Sequence, residues 1–478
     1  LISKNIEENK DNLKELFNNT SDLILYEFKT LSNHRALIAY INGTIDKVSL
    51  NEDVLKPLVE ELVSPWDIKS TVYTRINDEI KELKDTIVPI NNGLVILFME
   101  GLDFAYTFDL SQWPKRQVEK PTTEMVIRGP KEAFVEDIIV NKTLIRGKIK
   151  SNNLIFEDYI LGEETNTKVS LVYIKGIVKE GVLEEARYRI EKIKIDAILD
   201  NGYIESYIDE KPNRLISTVA FTEKPDIAAS KILEGSVGIL CDGSPNVLTV
   251  PKLFVENLHS AEDYYIRAHY ATFLRILRLM AFLASFVIPG VYISLITFHQ
   301  EMVPTELLIS IAGQREGVPL SSPFEALLMI LFFELIKESG VRLPEAIGQA
   351  VTLVGGLVIG QAAVEAGIVS STMIIMIAST GMAEFVVPKL RESIPILRLI
   401  FLFLGSVSGL YGITSGLVLF TAYLVSMKSF GVPYMWPIAP YDKEGLKDTI
   451  GKYSVRKLNY RPEAISNKKR RKRNERID

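Results

Sequence analysis

The sequence predicts a mixed protein: a two-lobed α/β cytoplasmic N-terminal region followed by an all-α polytopic membrane domain, nominally with six crossings. Three observations predict it. The chain has 478 residues, more than one ordinary core sustains. Lys, Glu and Asp are dense up to about residue 270, whereas 279–427 is mostly apolar with isolated charges. Within the polar half, short apolar runs alternate with turn residues and with segments of helical spacing. The overall composition, 47% hydrophobic and 24% charged with mean hydropathy +0.14, averages over this split. A wholly soluble enzyme is excluded, and so is a chain embedded in membrane along its whole length. Four segments are expected: lobes at 1–145 and 146–262, a membrane domain at 263–430, and a C-terminal segment at 431–478 ending in a basic tail.

Ala36–Ile41 is a short apolar run closed by Asn42-Gly43, which reads as a strand and turn. Val48–Leu62 has helical spacing, and Asn77–Ile87 reads as a charged helix. Leu94–Phe98 and Phe104–Phe108 flank Glu100–Asp103 as a hairpin, and Glu132–Leu144 reads as a helix after the breaker Gly129-Pro130. Strands are expected at Leu154–Leu161 and Lys168–Ile174, a helix at Gly181–Lys192, and a strand pair at Val237–Cys241 and Val247–Val250. One internal echo stands out. Gly93–Gly101 and Gly235–Gly243 both carry Gly first, Val third, an acid eighth and Gly ninth. This suggests two lobes ending in similar hairpins, with a boundary near residue 146, although strand–acid–Gly hairpins are also common in their own right.

The apolar half holds five stretches: Leu279–Phe298, Phe324–Ile336, Ala350–Ile368, Ser371–Val387 and Leu399–Met427. The last is too long for one simple span and is punctuated by Gly405, Gly409, Gly412 and Gly416. Arg267, Arg275 and Arg278 precede the first stretch; Lys337 and Arg342 follow the second; Lys389, Arg391 and Arg398 lie between the fourth and fifth. All these groups, and the basic tail, face the cytoplasm if the last stretch crosses twice. That gives six crossings. Two half-length crossings would each be roughly 22 Å, short of a ~30 Å core, so four or five are also compatible.

Enzyme signatures are absent, and the expectation is a protein without catalytic residues, metal or cofactor. The histidines His34, His259, His269 and His299 have no metal-binding spacing, and there is no Walker loop, GxSxG or GxGxxG. The lone Cys241 excludes an internal disulfide and fits a reducing compartment. The start, Leu1–Lys10, carries no secretory pattern, and a first residue other than Met suggests a trimmed N-terminus. The formal charge of −5 hides the cationic Ser466–Arg476, which suits a topological anchor or anionic lipid better than nucleic acid. Gly356 with Gly360, Gly405 with Gly409, and Gly412 with Gly416 are small-xxx-small pairs, fitting close helix packing within one subunit or between subunits. Pro304-Thr305-Glu306 opens and Gly317 with Pro319 ends a helix whose polar Gln314, Arg315 and Glu316 beside apolar Leu307, Leu308 and Ile311 suit an interfacial position.

Intramembrane polar groups say most. Gln361 lies one turn before Glu365, and Thr372, Thr380 and Glu384 fan over about a third of the next helix's circumference. A charged side chain at mid-bilayer costs roughly 2.5–3.5 kcal/mol on insertion scales, so it needs a partner or water. Two readings are open: a ring of Glu365 or Glu384 around an oligomer axis lining a cation path, or protonated carboxyls bonded between helices.

The ordered motifs Thr222–Asp226, Asp242-Gly243-Ser244-Pro245, Ser260–Tyr265, Thr297–Glu306, Arg315–Pro319, Ile347–Val351, Gly355–Gly367, Ser429–Tyr434 and Leu446–Thr449 resemble the A subunit of the spore germinant receptors, the GerA family. They span more than half of the chain, while residues 1–200 match in character only. The resemblance implies a multi-pass protein of the spore inner membrane, with its N-terminal domain and tail on the core side. It implies a homo-oligomer, expected to be a pentamer, acting with a transporter-like B subunit and a lipoprotein C subunit as a germinant-gated, monovalent-cation channel. The family's usual His-Pro-Glu stands here as His299-Gln300-Glu301, so no role is assigned there. On this reading Gln361, Glu365, Thr372, Thr380 and Glu384 line the path. The rival readings are a secondary-transporter component with Glu365 as coupling carboxylate, and a non-conducting scaffold for partner subunits.

Overall fold

A computed structural model describes residues 1–113, 124, 126, 128–211, 214–342, 356, 360–453 and 458–467. The polar half holds two five-stranded antiparallel sheets. The first contains β1 (Leu23–Lys29), β2 (Arg35–Ile41), β3 (Ile76–Ile80), β4 (Val95–Met99) and β5 (Ala105–Phe108), in the order β1-β2-β4-β5-β3. The second contains β6 (Leu154–Leu161), β7 (Thr167–Ile174), β8 (Ala220–Thr222), β9 (Val237–Cys241) and β10 (Val247–Val250), in the order β6-β7-β9-β10-β8. Adding five to each strand number of the first sheet gives the second, so one topology is built twice.

Helices cover both faces of each sheet. Leu37, Ala39, Ile96 and Phe98 point toward α1 (Ile6–Leu16), while the alternate Ala36, Ile38, Val95 and Leu97 point toward helical turns at 47–71. In the second sheet, Phe156, Val172 and Leu240 meet α2 (Ile138–Lys148) and α5 (Pro225–Glu234). Ile155, Leu171 and Ile239 meet α3 (Glu180–Glu191) and α4 (Asn201–Ile208). Burial on both sides explains why the central strands read as unbroken apolar runs. The nonapeptide echo falls on β4 and β9. Gly93 (φ 86°) and Gly235 (φ 108°) end the preceding helix, and Gly101 (φ 88°) and Gly243 (φ 83°) turn the hairpin. The echo repeats because each copy needs left-handed backbone at the same two places.

Three expectations change. Residues 77–87 are not one helix: Ile76–Ile80 is the edge strand β3, bulged against β5 between Ile76 and Glu79. Its two isoleucines are four apart and mimic helical spacing, but the open edge of β5 captures the backbone. The expected join near residue 146 falls inside α2. That helix starts on its Asp137 cap and packs on the second sheet, so the second lobe begins upstream. Arg146 itself is fully buried and binds the first lobe: its Nε and Nη2 donate to Asp22 at 2.8–3.0 Å, and Nη1 donates to Ser151 O at 2.7 Å.

The third, six crossings in the helical half, is supported only in part. α6 (Ala268–Thr297) and α10 (Ile394–Ser426) are the two described helices long and apolar enough to cross a bilayer, against six expected crossings. α8 (Ser322–Arg342) carries several charges and α9 (Ser371–Phe385) has 15 residues. α10 is a hairpin folded at Gly409, whose φ 59° and ψ −147° lie outside the helical region. The ring of Phe286 is 5.0 Å from Phe401 and 5.7 Å from Phe420. On a straight helix those two rings would stand ~28 Å apart. A Cβ at Gly412 would lie 2.4 Å from Leu404 O, again across the fold.

The hairpin tip sits beside Phe298 and His299 at the end of α6, and its base packs with Phe254 and Leu258 of the second lobe. α8 and α9 run parallel, with Glu325 against Ser370 at one end and Lys337 against Glu384 at the other. The helical stretch 360–365 runs opposite to α9, with Gly360 near Ile374 and Gly367 near Gly317. After α10 the chain returns to the second lobe, where Phe430, Val432, Trp436 and Ile465 join its core. The basic tail from 468 onward lies outside the described residues.

Asp22→Ala is expected to leave the buried Arg146 guanidinium uncompensated and cost about 3–5 kcal/mol in chemical unfolding of the N-terminal lobes, whereas exposed Asp11→Ala changes stability by under ~0.5 kcal/mol. Equal stability of the two variants would refute this role for the inter-lobe bond.

Candidate functional site

The polar residues of the helical half fall into three groups once their elements are placed. The first is a closed ring of four charges. Arg398, at the start of the first arm of α10, donates from Nη2 to Glu384 Oε2 at 2.8 Å and from Nη1 to Glu334 Oε1 at 3.3 Å. Lys337 Nζ reaches Glu384 Oε1 at 2.8 Å and Glu334 Oε2 at 2.5 Å. Each carboxylate therefore bridges both cations, and the ring is formally neutral. Arg398 Nε also donates to Ser285 O of α6 at 2.8 Å, so four helices meet here. Arg398 is 0% and Glu384 1% exposed.

The second group lies at the opposite end of the bundle. Ser370 caps α9, and Glu325 Oε1 accepts from both Ser370 N and Ser370 Oγ at 2.6 Å. A carboxylate beside a helix N-terminus is favoured by the helix dipole. Gln314 Oε1 accepts from Thr372 Oγ1 at 2.5 Å and from Ser371 Oγ at 2.7 Å. Gln314 belongs to α7 (Thr305–Arg315), which starts after Pro304 as the sequence suggests; Glu306 and Glu316 are exposed, and Arg315 Nε lies 4.0 Å from Glu325. The third group is exposed: Gln361 Nε2 donates to Glu365 Oε1 at 2.9 Å, one turn apart on the outer face of the 360–365 helix.

The structure thus separates the five residues expected to share a path. Gln361 and Glu365 are on the surface and Thr372 is half-buried at a helix cap. Thr380 is fully buried with its hydroxyl donating to Ile377 O at 2.8 Å, and Glu384 is locked in the ring. Neither faces the surface that carries Glu365, because α9 turns that side toward α8 and α10. Sequence reasoning missed Arg398 as the partner of Glu384, having counted it as an orientation signal only. The available clue was charge balance: Glu334, Lys337 and Glu384 fall at the C-terminal ends of their stretches and Arg398 at the N-terminal start of the last, so up-and-down helices bring all four to one side.

The glycines serve packing inside the chain. Gly405 crosses Gly290 of α6, where a Cβ would come within 2.4 Å of Gly290 O. Gly412 and Gly416 pack against Leu404 across the hairpin, and Gly409 forms its turn. At that tip Leu410 N–H donates to His299 Nε2 at 3.4 Å. Among the described residues, a Cβ added at Gly360 would meet only Ile374, at 3.9 Å, and one added at Gly356 would meet nothing within 4 Å.

Outside the membrane half, Arg275 and Arg278 at the root of α6 are clamped to Asp263. Arg275 Nε reaches Asp263 Oδ2 at 3.1 Å and Arg278 Nη1 reaches it at 2.8 Å, while Arg275 Nη1 binds Asp448 of the C-terminal segment at 2.9 Å. His259, bonded through Nε2 to Thr449 O at 2.9 Å, has its pKa pushed down to about 3 by burial and then by the Arg275 charge. No group of three or more His, Cys, Asp or Glu among the described residues is arranged to hold a metal.

Arg398→Ala is expected to leave Glu334 and Glu384 sharing Lys337 alone, one negative charge in excess, and to lower stability by about 3–5 kcal/mol, read as loss of monodisperse protein in detergent. The double variant Arg398→Met with Glu384→Gln removes both charges and should recover much of that loss; no recovery would count against the ring. The pKa of His259 is lower folded than in the unfolded chain, where it is about 6.5. As pH falls the unfolded chain therefore takes up the proton first. Stability should decline from about pH 6.5 toward pH 3 by at most ~1.4 kcal/mol per unit, and His259→Gln should flatten that limb of a pH-resolved thermal unfolding series.

A family profile described as Bacillus/Clostridium GerA spore germination protein matches residues 11–464. The chain is 39% identical to "Spore germination protein KA" of Bacillus subtilis (strain 168), covering 98% of this chain and 88% of that protein. It is 34% identical to "Spore germination protein GerLA" of Bacillus cereus, covering 98% and 97% respectively. Among solved structures, the N-terminal domain of the A subunit of the Bacillus megaterium spore germinant receptor GerK3 aligns with 53% of this chain and 97% of its own, at 28% identity and TM-score 0.41.

Proposed function

The chain belongs to the GerA family of spore germination proteins, and from that membership we propose that it is the A subunit of a nutrient germinant receptor in the spore inner membrane. It acts in germination without catalysing a reaction. Copies of it assemble around an axis, with transporter-like B and lipoprotein C subunits, into a path that passes monovalent cations when germinant binds a partner. The N-terminal lobes and the tail face the spore core.

One observation carries the reading. Among the described residues, the helix-borne carboxylates Glu325, Glu334 and Glu384 are bonded to groups inside the chain, whereas Glu365 is exposed with only the neutral amide of Gln361 beside it. Facing lipid, that charge would cost roughly 2.5–3.5 kcal/mol per subunit. Facing an axis shared with other copies, it meets water and attracts cations. Among the described residues nothing but Ile374 stands within 4 Å of a Cβ added at Gly356 or Gly360, which suits close approach of another helix.

Six passes fit the same scheme. α6 leads away from the lobes, α8 returns, 360–365 runs outward, α9 returns, and the two arms of α10 go out and back. Arms of 15 and 17 residues are ~22–26 Å long, so local thinning or tilt accompanies the hairpin.

Spores carrying Glu365→Ala should release monovalent cations on the order of tenfold more slowly on germinant addition, a barrier change of ~1.4 kcal/mol. Glu365→Asp should stay near wild type. Normal release from Glu365→Ala spores with normal receptor levels would overturn the assignment. Release that saturates and is coupled to solute uptake would favour a transporter component instead.

A further inference from the structure

Where the second lobe meets the membrane helices, the described residues enclose a cavity of about 730 Å³. That lies within the ~300–1,000 Å³ range of small-molecule sites. Its walls come from four parts of the chain: Glu124 and Val126, the second lobe, the root of α6 through Arg278, and the connector 386–393 that joins α9 to the hairpin.

Lys252 lines this cavity and is 6% exposed. Its backbone N–H donates to Ser429 Oγ at 3.0 Å. Its ammonium makes no hydrogen bond and no ion pair within 4.0 Å among the described residues. A buried ammonium without an acceptor is costly, and one facing a cavity marks a missing partner. Of the four carboxylates on the same walls, Glu392 stands exposed and the other three are engaged, Glu124 by Thr222 Oγ1 at 2.5 Å. Glu205 accepts from Ser217 Oγ at 2.7 Å, and Asp209 accepts from Thr218 Oγ1 at 2.5 Å.

Nearby cations add to the imbalance. Lys389 Nζ is held by two backbone carbonyls, Glu256 O at 3.3 Å and His259 O at 3.1 Å, with Glu124 at 4.0 Å. Lys224 Nζ donates to Pro130 O and lies 3.4 Å from Asp226. Carbonyls orient an ammonium without neutralising it, so the wall presents positive charge that the chain balances only in part.

We propose that this cavity is an oxyanion site: it takes a phosphate- or carboxylate-bearing group whose oxygens accept from Lys252 and Lys389. A ligand there spans the soluble lobe and the connector between α9 and α10, and so favours the helix arrangement in which the two are joined. Its position at the membrane edge suits a lipid headgroup as well as a free phosphate. The inference stands apart from ion conduction, since it concerns occupancy of a site on the lobe side.

The test uses the full chain in nanodiscs of phosphatidylcholine, with or without inorganic phosphate, and in nanodiscs containing phosphatidylglycerol. Two quantities are read: the thermal midpoint, and the rate at which an amine-reactive acylating reagent labels Lys252, with exposed Lys428 as internal reference. Phosphate or phosphatidylglycerol should raise the midpoint and slow labelling of Lys252 several-fold, leaving Lys428 unchanged. An effect of phosphate in phosphatidylcholine discs identifies a free anion; an effect of phosphatidylglycerol without added phosphate identifies a headgroup. Lys252→Met should abolish the midpoint shift and Lys252→Arg should keep it. Unchanged Lys252 labelling with both probes overturns the proposal, as does a wild-type shift in Lys252→Met. If Lys252→Met does not fold, the labelling arm on the wild-type chain decides alone.

Discussion

The helical half depends on one neutral ring of four charges. Helices this apolar need specific polar bonds and close packing to fix how they meet. Glu334 and Lys337 on α8, Glu384 on α9 and Arg398 on α10 close a circuit in which every charge meets two of opposite sign. Removing any one leaves an uncompensated charge where it cannot be hydrated. Arg398 also donates to the α6 backbone, so the ring fixes the register of the hairpin against the helix it packs on. The Gly290–Gly405 crossing then brings those two backbones together.

The ring sits at the lobe end of the bundle, close to a second ionic clamp. Asp263 is fully buried and binds both Arg275 and Arg278, while Arg275 also reaches Asp448. The root of α6 is thereby tied both to the segment leaving the second lobe and to the C-terminal segment that returns to it. The connector 386–393 passes between these two clamps and borders the Lys252 cavity. Movement of the lobe relative to α9 and α10 must therefore pass through this junction, where fixed charges border the Lys252 cavity. Within the polar half, the Arg146–Asp22 bond joins the two copies of the α/β topology.

Much of this was legible in the chain. The split between polar and apolar halves, most strands, the hairpin echo and the glycine punctuation of the last stretch are local features, and local physics writes them into spacing and residue type. The strand β3 was not legible, because five polar-centred residues with isoleucines at both ends satisfy either period, and only the open edge of β5 decides. The α2 boundary failed for a similar reason: a helix that packs on the second sheet while its Arg146 binds the first lobe looks like a junction from either side.

The sequence by itself determined that charges had to lie among the apolar helices and that they occur in balancing numbers. It could not say which carboxylate would be spent internally and which left outside. Glu384 and Glu365 look alike as isolated acids in apolar stretches, yet one is closed into a ring and the other lies exposed beside an amide. That difference depends on which face of α9 meets α8, and on a chain reversal at Gly409 that brings Arg398 and α6 together. Both are set by contacts between residues far apart in sequence. Spacing along one helix carries the angle of a side chain around that helix, but not what stands opposite it.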